Sequence, residues 1–162
     1  MKHMTANVHH NPVFCNPEPW KMMNEKIKTA IQHAVTTEAL AKVFNIKLIE
    51  LDEGFSVVEM FYDPDKMGNI YDRAHGGAIY SLMDEAFETS CQTHGTIAVA
   101  LNVNVTYIAS PDSACKLRAE SREISRTKKT ATYDIKVYGP DRQLIAICQA
   151  LAYRTGKPIP FL

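Results

Sequence analysis

The chain has 162 residues, 18 Lys and Arg against 18 Asp and Glu, a formal net charge of zero and 46% hydrophobic side chains. That length suits one domain with a sizeable core, and the composition excludes disordered and fibrous classes. Zero net charge gives no global attraction to nucleic acid or to an anionic membrane, so neither is expected as a partner.

Residues 1–19 are polar, carry prolines at 12, 17 and 19, and are predicted to form a loose tail. The first ten residues hold no apolar h-region and no run approaches a membrane-spanning length, so neither a secretory signal nor a span is predicted. Cys15, Cys91, Cys115 and Cys148 form no Cys-x-x-Cys pair. They read as free thiols of a cytoplasmic protein. Trp20, Met23, Ile27 and Ile31 recur at three and four residues, which predicts an amphipathic helix over 18–34. Thr36 and Thr37 read as a break and an N-cap for a short helix through Phe44.

Strand patterns follow over 46–51 and 55–62, separated by the hairpin signal Asp52-Glu53-Gly54. Residues 63–74 read as a polar loop. From His75 the apolar spacing turns helical through Ile79, Leu82, Met83, Ala86 and Phe87, to about Thr93. Strands are predicted near 96–109, 115–125, 130–138 and 143–154. The expected class is α+β: helix, hairpin, one long helix, then an antiparallel meander that wraps the long helix. The expected division is 1–35 for tail and helix and 36–162 for the folded domain.

Gly76 and Gly77 stand together at the predicted start of the long helix. Without Cβ atoms there, a ligand can approach the backbone closely. The free N–H groups of a first helical turn, with the helix dipole behind them, suit a carbonyl oxygen that gains negative charge. A glycine pair required only for tight packing is the competing reading. Asp84 lies on nearly the same helix face among apolar neighbours, as a general base, a nucleophile, or a carboxylate satisfied by a neighbour. Gly76 and Asp84 are eight residues apart, which is about 12 Å along a helix axis. One carbonyl cannot touch both groups of one helix. If both act on it, the acid comes from a second subunit and the active form is a dimer.

Asn69, six residues before His75-Gly76-Gly77, with Asp84 eight after Gly76, resembles the hotdog-fold acyl-CoA thioesterases of the PaaI-like subfamily. The resemblance covers about residues 36–156 and includes the strand from Ala98 to Ile108 and the end of the last strand, Tyr153 to Gly156. It implies a hotdog fold with an N-terminal helical extension, an acyl-CoA substrate (aryl or medium to long acyl), no cofactor, and homodimers that often pair into homotetramers. It implies that the Gly76 amide polarises the thioester carbonyl. Asp84 of the partner subunit then acts as base or nucleophile, Asn69 helps place the water or thioester, and His75 orders the loop. Gly77 is implied at the substrate.

This chain departs from the family at three places. Asp72 stands where a glycine is usual, a turn that Asp can make in a left-handed conformation. Arg73 beside it would narrow the pocket or touch the ligand. Glu88, one turn beyond Asp84, would face the pocket and bind a polar acyl group, or pair with a cation of the partner. Glu85, about 100° off the Asp84 face, reads as a surface or interface residue. The turn Arg126-Thr127-Lys128-Lys129 would suit the phosphates of coenzyme A, or be a solvated hairpin turn.

Other chemistries find less. Cys91 and His94 lack a third orienting group, and His9-His10 lacks further ligands at zinc spacing, so no metal is expected. Two alternatives to the thioesterase remain: a hotdog enoyl-CoA hydratase or dehydratase using His75, and a non-catalytic acyl-CoA-binding protein.

Overall fold

The computed structural model describes residues 23–162. The tail, Cys15, Trp20 and the predicted helix before residue 23 lie outside the described residues. Helix α1 (Glu25–Thr37) starts later than the apolar spacing suggests, because Asn24 caps it: the Asn24 side chain accepts from the Lys26 N–H at 2.9 Å. Thr36 and Thr37 do not begin the next helix. Their hydroxyls donate back to the His33 and Ala34 carbonyls at 2.7 and 2.9 Å, inside the last turn of α1. The break falls at extended Glu38, and α2 (Ala39–Phe44) follows and ends on left-handed Asn45.

Strands β1 (Lys47–Asp52) and β2 (Phe55–Tyr62) form the predicted hairpin, with Gly54 at φ +68° in its turn. The polar loop after it contains a one-turn helix, α3 (Pro64–Met67). The long helix is α4 (Gly76–Cys91). Strands β3 (Thr96–Tyr107), β4 (Cys115–Arg126), β5 (Thr130–Tyr138) and β6 (Leu144–Pro158) complete the described chain.

All six strands form one antiparallel sheet in the order β1-β2-β4-β5-β6-β3. This corrects the expected meander. Of the last four strands, only β4, β5 and β6 follow one another in space. Strand β3 crosses to the far edge and pairs with β6, while β4 docks on β2. Apolar alternation marks a segment as a strand but does not say which strand it pairs with, and sequence neighbours are only the commoner choice.

Helix α4 packs against β2, β4 and β5. Its Leu82, Met83 and Ala86 join Val58, Met60, Leu117, Ala119 and Ile135 in one buried cluster. Two short polar contacts fix the helix about its axis. Ser56 Oγ donates to the Ala86 carbonyl at 2.6 Å, and the Ser90 and Ser121 hydroxyls meet at 2.7 Å. Helix α1 adds Ile31 and Val35 to the same cluster. No helix among the described residues is long and apolar enough to cross a membrane. Leu82 is fully buried, so Leu82→Ala should lower the unfolding free energy by about 2–5 kcal/mol, read as a lower urea midpoint at unchanged slope.

Candidate active site

Asn69 holds the loop that delivers the chain to α4. Its Oδ1 accepts from the Tyr71 and Arg73 amides at 2.9 and 3.1 Å, and its own N–H donates to the Arg73 carbonyl at 2.7 Å. The chain reverses through Asp72, whose φ is +55°. The left-handed turn that this sequence must make without a glycine is therefore present. The His75 N–H donates to the Met67 carbonyl at 2.8 Å. His75 then caps α4, with Nδ1 accepting from the Gly77 N–H at 2.9 Å.

That cap divides the two glycines. The Gly77 amide is engaged within the chain. The Gly76 amide, at the first position of α4, has no hydrogen-bond partner among the described residues. Tyr107 covers Gly76 from β3: its hydroxyl donates to the Gly76 carbonyl at 3.1 Å. A Cβ on Gly76 would stand 3.2 Å from Tyr107 Cζ, so any side chain there must push the Tyr107 ring aside by a few tenths of an ångström. Gly76, Asn69, Arg73, Ile79 and Tyr107 line a cavity of about 390 Å³. Arg73 pairs with Asp112 at the exposed side of this loop. A depression of about 440 Å³ over α1, α2 and β1 is lined by none of the predicted site residues.

Helix α4 runs unbroken from Gly76 to Cys91, so Gly76 and Asp84 remain about 12 Å apart along one axis. Burial, and then like charge from Glu38, raises the Asp84 carboxyl above its ordinary value. Asp84 in turn raises the Tyr80 phenol and the Cys148 thiol, in both cases after burial. Cys148 pairs with Val105 of β3. Asp84 is thus within electrostatic reach of Cys148 on β6 as well as of Glu38.

Glu85, read from its helical angle as a surface or interface residue, is buried within the single chain. It is 3% exposed, because α1 and the start of α2 cover that side of α4. Burial, then Glu38, then Glu88 and Asp84 push its carboxyl up to about 8. Glu88 is exposed on the isolated chain. Crowding by protein, then Glu38 and Asp84, raise its carboxyl as well. The basic turn lies elsewhere. Arg126 Nε donates to Glu123 Oε1 at 3.0 Å, and Glu123 meets His94 at 2.7 Å, just beyond the C-terminal end of α4. That is about 24 Å along the helix from Gly76, so one chain does not bring residues 126–129 to the Gly76 cavity. His94 is committed to Glu123, and burial raises the Cys91 thiol, which leaves that pair inert.

Residues 71–146 match the family model described as the thioesterase superfamily. A putative esterase of Archaeoglobus fulgidus is 31% identical over 147 residues, 91% of this chain and 93% of that protein. The acyl-coenzyme A thioesterase PaaI of Escherichia coli K12 is 31% identical over 122 residues, 75% of this chain and 86% of that protein. The chain belongs to the PaaI-like hotdog thioesterases. The solved E. coli PaaI structure superposes with a TM-score of 0.79 at 28% identity, over 85% of this chain and 99% of that one. A Streptococcus mutans structure bound to acetyl CoA matches with a TM-score of 0.67 at 26% identity, over 71% of this chain and 92% of that one.

Two residues of this thioesterase escaped the sequence reading. Tyr80 sits one turn before Asp84, and Tyr107 sits on Gly76. Tyr80 was readable from i, i+4 spacing to both Gly76 and Asp84. Tyr107 was not, because only the sheet register brings β3 over the first turn of α4.

Two measurements follow from this geometry. Gly76→Ala should force Tyr107 away and lower kcat for thioester cleavage by roughly a hundredfold, while Tyr107→Phe, which loses one hydrogen bond, should cost far less. Glu85 has an ordinary value of 4.5 and a raised folded value near 8. Its contribution to stability is therefore complete below the lower value and lost as pH rises through the upper one. Glu85→Gln should accordingly melt above the native protein at about pH 9, and the difference should shrink toward about pH 5 in a thermal-unfolding series.

Proposed function

We propose that the protein hydrolyses an acyl-CoA thioester to a free acid and coenzyme A, at a site that two subunits complete. The observation that carries this reading is the Gly76 N–H at the head of α4, which has no partner among the described residues, at a cavity that Gly76 lines together with Asn69. It is joined by an acid about 12 Å further along the same unbroken helix. The thioester oxygen accepts from the Gly76 amide, with the α4 dipole behind it, so charge that develops on the oxygen meets a fixed donor. The Asn69 Oδ1 is occupied by its own loop, so the Asn69 side chain would serve a ligand through its Nδ2 donor.

Asp84 of the partner subunit supplies the ionised carboxylate. As a base it takes a proton from water while the oxygen attacks the carbonyl carbon. The carbon–sulfur bond then breaks and the departing thiolate takes the proton. As a nucleophile it attacks the carbonyl carbon, the carbon–sulfur bond breaks to release the coenzyme A thiolate, and water opens the resulting anhydride, its proton passing to the thiolate. Label found in Asp84 after a single turnover in oxygen-18 water would identify an anhydride opened at the aspartyl carbonyl, because general-base attack on the acyl carbon puts the label in the product acid alone.

The dimer rests on the β3 edge. Among the described residues, strand β3 ends the sheet with its outer backbone edge unpaired, and Val99, Leu101 and Tyr107 are 47%, 57% and 49% exposed. A long apolar edge strand in solution is a pairing surface. Pairing of two β3 strands would place each Asp84 beside the partner's Gly76 cavity. A dimer of dimers is the further expectation for this subfamily. Arg73 lines the cavity and is the nearest cation for coenzyme A, while Arg126, Lys128 and Lys129 would reach its phosphates from the other subunit. The relatives named as thioesterases and the structure bound to acetyl CoA support this substrate. A cytoplasmic setting agrees with free Cys91, Cys115 and Cys148.

Asp84→Asn should lower kcat by about 10²–10⁴-fold with the fold intact. Because the raised carboxyl must ionise, the acidic limb of kcat/KM should lie above the ordinary aspartate value of 3.8 and fall as pH drops through it. Hydration of an enoyl-CoA without thiol release would instead favour a His75-dependent hydratase, and coenzyme A ester binding that tolerates Asp84→Ala unchanged would favour a binding protein. Leu101→Lys should yield a monomer by light scattering, inactive although folded.

A further inference from the structure

Helix α4 leaves only Gly76, Gly77, Tyr80, Ser81, Asp84 and Glu88 at least partly uncovered in the single chain, and all its other residues are buried. From Gly77 onward these residues recur at three, four and seven, so they form one stripe along the helix. Two polar groups of the stripe have complementary needs. The Asp84 carboxylate accepts no hydrogen bond and makes no ion pair among the described residues, and the Tyr80 hydroxyl has no hydrogen-bond partner there. Ser81 differs, since its Oγ donates to the Gly77 carbonyl at 2.9 Å.

The titratable groups within electrostatic reach of Asp84 are Glu38 before α2, Tyr80, Glu85, Glu88 and Cys91 on α4, and Cys148 on β6. None is a cation. A half-buried carboxylate that must ionise to act needs a donor, and the described chain offers it none.

Symmetry supplies one. On the reading that Asp84 of each subunit serves the other's Gly76, a twofold axis relates two identical sites. Residue 76 of one helix then stands level with residue 84 of the other, and the two α4 helices run antiparallel. Residue 80 is the midpoint of 76 and 84, so the axis passes beside Tyr80. Long side chains on a helix lean back toward its N-terminus, which carries the Tyr80 hydroxyl about one turn, to the level of Gly76. Tyr107 agrees with that lean: its hydroxyl sits on the Gly76 carbonyl, and it is within electrostatic reach of Tyr80. The level of Gly76 is where Asp84 of the partner subunit arrives. Burial, then Asp84, Cys148 and Tyr107, raise the Tyr80 phenol, so it keeps its proton and can donate.

We infer that Tyr80 is a positioning residue whose hydroxyl donates a hydrogen bond to the carboxylate of Asp84 of the partner subunit, holding the acid at the thioester carbonyl in its ionised form. This rests on the thioesterase reading and deepens it.

The test is the pH profile of thioester cleavage, read on the best-cleaved member of a panel from acetyl-CoA to palmitoyl-CoA with benzoyl-CoA added. Tyr80→Phe keeps the ring and removes the donor. It should lower kcat by about tenfold with KM within about twofold, and move the acidic limb of kcat/KM up by about one pH unit. The direction follows because a hydrogen bond to the carboxylate favours its charged form. Ser81→Ala, on the same stripe, should leave the limb in place. A heterodimer of one Asp84→Asn chain and one Tyr80→Phe chain, isolated by two affinity tags, decides which subunit the phenol serves. Its one working site takes Tyr80 from the first chain and Asp84 from the second, so it should show about half the native kcat per dimer with the native limb. A heterodimer limb shifted as in the Tyr80→Phe homodimer means that the phenol acts within its own chain, and overturns the inference. A native profile in Tyr80→Phe overturns it too, as does an equal shift in Ser81→Ala; in these cases native cleavage leaves the thioesterase standing. Cleavage of no panel member by the native protein overturns both.

Discussion

The rest of the site depends on the rigidity of one helix. Helix α4 is unbroken over 16 residues, and its rise per residue separates Gly76 from Asp84 by about 12 Å. No side-chain rotation closes that distance. A chemistry that needs an oxyanion donor and a carboxylate on the same carbonyl therefore needs two copies of the helix. The long apolar edge of β3 offers the means of bringing them together.

The same helix is packed so that its ends and faces do different things. Its first turn is exposed enough to leave one amide free, because His75 takes the Gly77 N–H and Tyr107 takes the Gly76 carbonyl. Its middle is pinned by Ser56 and Ser90 to the sheet. Its remaining side is covered by α1 and Glu38, which turns Glu85 into a buried acid and raises the carboxyls around it. Like charge and desolvation act in one direction here, and both favour the protonated forms.

Much of this was legible from residue order. The spacing of Ile79, Leu82, Met83 and Ala86 marked α4 as a largely buried helix, and the hairpin at Gly54 fell where the turn residues put it. Asp72 had to be left-handed if the Asn69 loop was to form, and it is. The errors share a cause. Thr36 and Thr37 carry capping side chains, but a hydroxyl can bond backward within a helix as readily as forward to a new one. Strand β3 was assigned to a meander because pattern does not name a partner. Glu85 was read as a surface or interface residue, yet α1 and Glu38 bury it within one chain, because a helical angle gives direction and not what lies in that direction.

The sequence by itself determined the α+β class, the glycine pair at a helix head, the acid two turns on, and the distance that forbids one helix from using both. These are local properties, set by propensity, periodicity and the fixed rise of a helix. Only the tertiary structure decided that the Gly76 amide has no partner among the described residues, that Tyr107 packs onto Gly76, that the basic turn belongs to the opposite end of α4, and that Glu85 is buried against Glu38. Each of these depends on residues tens of positions apart meeting across the sheet or across α1, and no short-range pattern encodes such a meeting.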